Sequence, residues 1–209
     1  MPIFHLRTNR TDEAECLVIR HHYSKRAPGS IQQVVTWHAD GGLFGDDGEA
    51  VAACFFSSPP TRWSEPVWEL SRLVRTPECT IQLSGLIAQA CKLAKGKIDL
   101  LVSFADKTQG HHGGIYQACS WNYDGCRDRA CDGVIISGKF FPGRSCNATW
   151  GTRSPTKLAE ILGVEVLPHF DEGKHLYWRS LERSGELKAH RLGLKKLAYP
   201  KPKLVDGVT

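Results

Sequence analysis

Residues 102–118 have the sequence VSFADKTQGHHGGIYQA, and the interpretation of the whole chain starts from this stretch. The apolar run 100–105 predicts a strand that is buried on both faces. The strand ends at Asp106, and a turn rich in glycine and histidine leads into a predicted helix over 110–121 that carries Tyr116. Ligands of open α/β sheets bind outside the carboxyl ends of the strands, so we expect Asp106 to lie at a binding site.

The turn itself supports the same interpretation. Gly113 and Gly114 would let the backbone approach a ligand closely. Free N–H groups at the start of the following helix could bind an anion or an oxyanion. The alternative is that Asp106 does nothing more than cap this helix.

The regions on either side predict one central mixed sheet flanked by helices. Strands are predicted at 3–7, 32–39, 49–56, 67–74, 122–123 with 134–141, and 175–181. Three helices are predicted. The first begins at Asp12, where Glu15 completes a capping box, the second covers 83–94, and the third follows the N-cap Ser154. This order predicts an α+β or α/β fold in one domain, residues 1–182, followed by a basic C-terminal arm, residues 183–209.

Composition limits the class of protein. The chain has 209 residues, of which 41% are hydrophobic and 23% charged, as in a soluble globular protein. No apolar run approaches the roughly 18 residues of a membrane span, so no membrane partner is expected. The first residues lack the apolar region of a signal peptide, which predicts a cytoplasmic protein with reduced cysteines.

The net charge of +5 is concentrated near the C-terminus. Between residues 183 and 203 there are seven basic residues and one acid, a charge of +6, so the remainder sums to −1. Such an arm is expected either to contact a polyanion or to be a solvated tail.

Three further groups could carry chemistry. His22 and Tyr23, at the end of the first helix, could act as a general base, as metal ligands or as hydrogen-bond donors. Glu69 and Arg72 lie within a predicted strand, where charges are costly unless they are paired or functional. His22, Asp106 and either His111 or His112 would resemble a two-histidine, one-carboxylate site, so a divalent metal such as iron stays open. The cysteine spacings match no usual zinc site.

Five blocks in order resemble the Mom family of phage DNA-modification proteins. They are RHHYS (20–24), PPTRWSEP (59–66), WELSRLV (68–74), residues 102–118 quoted above, and KHLYWRSL (174–181). The resemblance implies a GNAT-type acyltransferase fold, in which two central strands, here 67–75 and 98–105, separate to admit the donor. It also implies modification of adenine in phage DNA at the N6 amine with a carbamoylmethyl group, which blocks host restriction endonucleases.

The family's functional residues transfer by position. Its aspartate matches Asp106, its tyrosine matches Tyr116, and its histidine–tyrosine pair matches His22 and Tyr23. The predicted donor-binding residues are Ser71, Arg72, Leu73 and Ser84. The cellular location implied is the cytoplasm of the bacterial host.

One departure from the GNAT pattern concerns the donor. GNAT enzymes follow the fourth strand with a glycine-containing loop that binds the coenzyme A pyrophosphate, whereas here the first glycine after residue 76 is Gly85. The expected donor is therefore acetyl-CoA or another acyl or aminoacyl donor, such as a charged tRNA.

Double-stranded DNA is the expected partner. The predicted phosphate contacts are Lys25, Arg26, Arg62, Arg191, Lys195 and Lys196. Trp37, Trp63 and Tyr23 are candidates for holding a flipped base. The alternatives are an acetyltransferase acting on a protein or a small amine, and a DNA-binding protein without catalysis. The oligomeric state stays open, with a homodimer as one option.

Overall fold

A computed structural model describes residues 4–40, 47–59 and 63–201. Its main feature is a seven-stranded mixed sheet. The strands are Phe4–Thr8 (β1), Ile31–Asp40 (β2), Asp47–Ser57 (β3), Trp68–Arg75 (β4), Leu100–Asp106 (β5), Asn122–Arg127 (β6) and Lys174–Ser180 (β10). Their order is β1-β2-β3-β4-β5-β10-β6. The first four strands pair antiparallel and β4 pairs parallel with β5, which confirms the predicted mixed sheet.

Helices flank this sheet, as predicted. They are Thr11–His21 (α1), Leu83–Ala94 (α2), Gly114–Ala118 (α3), Gly143–Trp150 (α4), Pro155–Leu162 (α5) and Arg183–Arg191 (α6). Leu17 of α1 packs with Val34 of β2, whereas the neighbouring Gln33 donates to the carbonyl oxygen of Ala90 in α2. Adjacent residues of a strand point to opposite faces, so α1 and α2 cover opposite sides. None of the helices in the described residues is long and apolar enough to cross a membrane.

The chain forms two compact units. The first comprises residues 1–104, 113–125 and 176–209, and the second comprises 105–112 and 126–175. The second contains a three-stranded antiparallel sheet of Cys131–Ile136 (β7), Lys139–Pro142 (β8) and Val166–Phe170 (β9), in the order β8-β7-β9. Apolar residues of α4 and α5 pack on one face of this sheet around Val134.

The predicted start of the first helix is wrong. Helix α1 begins at Thr11 with Arg10 at the N-cap position, and no side chain caps it. The capping box of Asp12 and Glu15 is therefore not formed. The preceding Asn9 has φ 63°, and this turn sets where the helix begins.

Glycines explain two other differences. The helix predicted over 110–121 is limited to α3, because Gly110 and Gly113 have φ of 70° and 82° and break the helical path. The β region predicted over 134–141 is divided into β7 and β8 by Ser137 and Gly138, whose positive φ values suit a tight hairpin turn. Helix α4 was not predicted, because Cys146 is its only fully buried side chain.

Some predictions fall outside the described residues. The tip of the predicted hairpin between β2 and β3 lies in 41–46, and Arg62 lies in 60–62. The pairing of β2 with β3 is described and confirms the hairpin.

Much of the basic C-terminal arm is folded. Ala189 of α6 is buried in a cluster with Leu176 and Trp178 of β10. After the helix, the Leu197 N–H donates to the Tyr123 carbonyl oxygen at 2.8 Å and extends the edge of the sheet at β6. Residues 183–201 therefore include a packed helix and an ordered segment within the first unit.

Two glycines of one loop provide a test of the packing around α3. A Cβ on Gly113 would lie 2.2 Å from Tyr177 Cε2, whereas one on Gly110 would have nothing within 4 Å. Both have positive φ, so Gly110→Ala should lower the free energy of unfolding by about 1 kcal/mol through backbone strain alone. Gly113→Ala should cost about 2 kcal/mol more because of the added clash. Urea denaturation measures both, and equal losses would contradict this packing.

Candidate active site

The central feature of the first unit is a gap between β4 and β5. The two strands pair only at Trp68–Leu101 and Glu69–Val102. Both strands continue beyond these pairs, to Arg75 and Asp106. The separation of the two central strands that the sequence predicts is therefore present.

Ser103 and Tyr116 lie where this pairing stops. The Ser103 Oγ is 2.7 Å from the carbonyl oxygen of Leu70 and 2.8 Å from the hydroxyl oxygen of Tyr116. All three residues are buried. The Tyr116 ring packs against Trp121 and Tyr177, at centroid distances of 5.4 and 5.2 Å. The phenol is thus held in one position.

Tyr116 is protonated at neutral pH. Burial raises the pKa of Tyr116 far above its ordinary value, and the hydrogen bond with Ser103 opposes this only in part. The negative charges of Cys54, Tyr23 and Glu69, when ionised, raise the pKa of Tyr116 further. A phenol in this state can donate a proton but does not act as a base.

A β-bulge lies beside the gap. Phe55 is opposite Arg72 and Phe56 is opposite Leu70, which leaves Ser71 as the extra residue of β4. The guanidinium of Arg72 donates to the Ser71 carbonyl oxygen at 2.6 Å and to the Arg26 carbonyl oxygen at 3.1 Å. Arg72 therefore connects the bulge to the loop that follows α1.

The loop after α1 places His22 and Tyr23 at the end of the helix. The helix ends at His21, and His22 adopts an extended conformation, so the two adjacent histidines need not follow helical geometry. His22 Nδ1 is 2.9 Å from the Ser24 hydroxyl and accepts from the Ser24 N–H. The rings of His22 and Tyr23 lie 4.4 Å apart, and Tyr23 is half exposed.

The remaining predicted donor residues are Leu73, in β4, and Ser84, in the first turn of α2. Leu73 pairs with Cys54 across β3 and β4. The Ser84 carbonyl oxygen accepts a weak hydrogen bond from Cys119, which caps α3, so Ser84 connects α2 to the helix of Tyr116. Arg75 donates to the carbonyl oxygens of Cys79 and Ile81 and fixes the loop before α2.

Neighbouring thiols do not provide a nucleophile. Burial raises the pKa of the Cys54 thiol well above its ordinary value, and burial raises the pKa of Cys91 to about 11. Thiols in this state are poor nucleophiles at neutral pH because the thiolate is the reactive form.

Asp106 belongs to the second unit. It caps the single 3-10 turn Lys107–Gln109 by accepting from the Thr108 N–H at 2.9 Å. Asp106 therefore caps this turn and not the predicted helix, since α3 has Gly113 at its N-cap position. One capping bond occupies only part of the acceptor capacity of a carboxylate.

His175 of the second unit lies near other cations, whereas His169 lies 2.7 Å from a carboxylate oxygen of Asp132. His175 is half-buried, and burial together with the charges of Lys107 and His112 lowers the pKa of His175. Within residues 4–40, 47–59 and 63–201, no three His, Cys, Asp or Glu side chains are arranged to bind a metal. The set of His22, Asp106 and a second histidine includes residues of both units and stays a prediction.

The predicted DNA contacts divide into two groups. Lys25 and Arg26 are exposed in the loop after α1. The second group, Arg191, Lys195 and Lys196, lies in the C-terminal arm. Arg191 forms a salt bridge with Glu65, Lys196 forms one with Glu186, and Lys195 is exposed.

Sequence patterns missed Ser103. Its only signal was a polar residue within an otherwise continuous apolar strand, LLVSFA. The sequence shows Glu69 as a charge within a strand, but only the fold shows that this charge raises the pKa of Tyr116.

The chain is similar in structure to several acetyltransferases. No curated protein sequence matches the chain. Similar solved structures include an N-acetyltransferase from Staphylococcus aureus Mu50, with 10% identity, a TM-score of 0.45, and 86% of this chain and 98% of that chain covered. Arabidopsis thaliana NAA60 in complex with a bisubstrate analogue has 14% identity, a TM-score of 0.49, and coverage of 85% and 98%. A GNAT family acetyltransferase from Elizabethkingia anophelis with acetyl-CoA bound has 10% identity, a TM-score of 0.44, and coverage of 86% and 97%.

The mixed sheet flanked by helices, with parallel central strands that separate, is the architecture that the resemblance to the Mom family implies. The chain belongs to the Mom protein family, whose sequence profile matches residues 4–201.

Two arginines of β4 provide a test of how the site's loops are held. Arg72→Ala removes the bond to the Arg26 carbonyl, and Arg75→Ala removes the bonds to the loop before α2. Amide hydrogen exchange should become at least about fivefold faster over 22–27 in Arg72→Ala and over 76–82 in Arg75→Ala, because each loop then opens more often. Each variant serves as the control for the other. Faster exchange in both loops of both variants would argue against this division.

Proposed function

We propose that the chain is a transferase that adds an acyl-derived group of the carbamoylmethyl type to the N6 amine of adenine in DNA. The observation that carries the proposal is the buried, protonated phenol of Tyr116 held beside the gap between β4 and β5. Such a group can protonate a leaving group where a donor enters between the strands. Membership of the Mom family supports adenine as the acceptor.

DNA binding is proposed for the exposed cations. Lys25 and Arg26 lie three positions or fewer from Tyr23, so phosphate contacts there would bring the DNA close to an exposed aromatic ring. The target base must leave the helical stack, and Tyr23 with His22 offers a stacking surface for it. Trp37 does not fit this role because it is buried, with its ring against Gly85.

The chemistry needs an acid and a base. The adenine amine is a poor nucleophile because its lone pair is delocalised into the ring, so its proton must be removed as it attacks. Asp106 is proposed to accept this proton, and Tyr116 to give one to the leaving group of the donor. In the acyl-transfer step the new bond joins N6 to the carbonyl carbon of the donor, and the bond from that carbon to the leaving sulfur or oxygen breaks, which gives an N6-acyl adenine. A transferred glycyl group has the same atoms as a carbamoylmethyl group, which forms from it by a rearrangement after the transfer.

The donor is proposed to be an activated acyl compound, either a thioester such as acetyl-CoA or an aminoacyl ester. The loop before α2 contains no glycine between residues 76 and 84 and includes the carboxylate of Glu78. A hydrogen bond from its own backbone N–H lowers the pKa of Glu78, and the Arg75 guanidinium binds the Cys79 and Ile81 carbonyl oxygens of the same loop. A loop without glycine does not favour the close backbone approach that binds a pyrophosphate, which gives weight to the aminoacyl ester.

Nucleoside mass spectrometry tests the proposal. Plasmid DNA from bacteria that express the wild-type chain should contain a mass-shifted deoxyadenosine and resist cleavage by restriction endonucleases. Asp106→Ala and Tyr116→Phe should each lower its yield at least about a hundredfold, because each removes a proton-transfer group. Asp128→Ala, an exposed aspartate of the same unit as Asp106, is the matched control and should keep full yield.

The outcomes separate the parts of the proposal. Unmodified DNA in cells that contain soluble wild-type protein would contradict adenine modification and would favour an acetyltransferase acting on another amine. Full activity in Asp106→Ala would remove Asp106 from the reaction and leave its role as a cap. The mass added to deoxyadenosine would identify the transferred group.

A further inference from the structure

Ser103 makes two hydrogen-bond contacts with a single proton. Its Oγ lies 2.7 Å from the Leu70 carbonyl oxygen and 2.8 Å from the Tyr116 hydroxyl oxygen, and Ser103 is fully buried. A carbonyl oxygen only accepts, whereas a phenol can donate or accept. The Ser103 proton can therefore serve only one of its two partners at a time.

This geometry allows two arrangements of protons. In the first, Ser103 donates to Leu70 and Tyr116 donates to Ser103, so the phenol proton is directed toward Ser103. In the second, Ser103 donates to Tyr116, and the phenol proton is directed to another acceptor. Both distances are normal for hydroxyl hydrogen bonds, so the same heavy-atom positions accommodate either arrangement.

We propose that Ser103 is a positioning residue that controls where the Tyr116 proton points during group transfer. This inference rests on the proposed function. As transfer proceeds, the O–H bond of Tyr116 breaks and its proton passes to the leaving group, while the Ser103 hydroxyl turns from Leu70 to the phenolate. The proton that the adenine amine loses passes to Asp106, which releases it to solvent, and the phenolate takes a proton from solvent, so the protein ends with the protons it began with.

The need for such a residue follows from burial. A phenolate without a donor in an apolar interior is strongly destabilised, and burial already raises the pKa of Tyr116. A hydroxyl that turns to the phenolate stabilises the charge at the moment it forms. Alanine at position 103 would remove this donor and leave the Leu70 carbonyl without the Ser103 hydrogen bond.

The control for this test is a second buried hydroxyl with two partners. Thr36 in β2 is fully buried, and its Oγ1 lies 2.9 Å from His38 Nε2 and 3.5 Å from the Arg7 carbonyl oxygen. Thr36→Val removes this hydroxyl at nearly constant shape in the same sheet. It measures the effect of losing a buried bridging hydroxyl without touching Tyr116.

The experiment measures modification rates with purified full-length variants. Ser103→Ala should lower kcat at least about tenfold and leave KM for DNA within about twofold, because the lost interaction acts on proton transfer. Ser103→Thr, which restores a hydroxyl, should recover most of the rate, and Thr36→Val should keep kcat. Ser103→Cys, whose thiol is a weak donor, should resemble Ser103→Ala and replaces it if the alanine variant does not fold.

Two results would overturn the proposal. One is a kcat within about twofold of wild type in folded Ser103→Ala or Ser103→Cys, since general acid catalysis contributes far more than this. The other is a Ser103→Thr variant that folds but is as slow as Ser103→Ala.

Nuclear magnetic resonance tests the hydrogen bond between Ser103 and Tyr116 without an activity measurement. With tyrosine labelled at the ring carbon that bears the hydroxyl, Tyr116→Phe identifies the Tyr116 signal. This signal should shift in Ser103→Ala and stay in place in Thr36→Val, and an unchanged signal in Ser103→Ala would overturn the proposal. Wild-type protein that leaves DNA unmodified would instead count against the proposed function, so the two failures are distinguishable.

Discussion

The loss of pairing between β4 and β5 after Glu69 and Val102 is the constraint on which the first unit depends. Ending a sheet ladder inside a protein leaves a carbonyl group that must find a donor, because a buried polar group without one is costly. Here the carbonyl belongs to Leu70, and the donor is the side chain of Ser103. The same hydroxyl contacts Tyr116, so Ser103 both satisfies the carbonyl left by the separated strands and positions the phenol.

Burial gives this arrangement its chemical character. The pKa of Tyr116, Cys54 and Cys91 is raised mainly by desolvation, so these groups keep their protons at neutral pH. These three groups therefore do not act as bases at neutral pH. The proposed function takes its base from Asp106, whose carboxylate ends β5 and caps the turn Lys107–Gln109.

The sequence predicts those elements whose signals are local. The β-rich runs of β2 and β3 form strands, the apolar run of β5 forms a strand, and Ser154 caps the helix that begins at Pro155, all as expected. Other features depend on residues distant in sequence. Gly113 suggested contact with a ligand, but the space a side chain would need there is filled by the ring of Tyr177. Ser103 has no local pattern, because its two partners lie in β4 and α3.

The basic arm shows how a charge pattern can combine structural and binding roles. Lys188 is largely buried and forms a 2.6 Å salt bridge with Asp99, and such a pair is costly to break because each charge would remain desolvated. Arg191 and Lys196 also face acids, but they are more than half exposed, where an ion pair contributes little. A phosphate can therefore replace Glu186 or Glu65 at modest cost, whereas it cannot replace Asp99. Lys188 therefore fixes the helix in place, whereas the ion pairs of the exposed cations near it are weakened by salt.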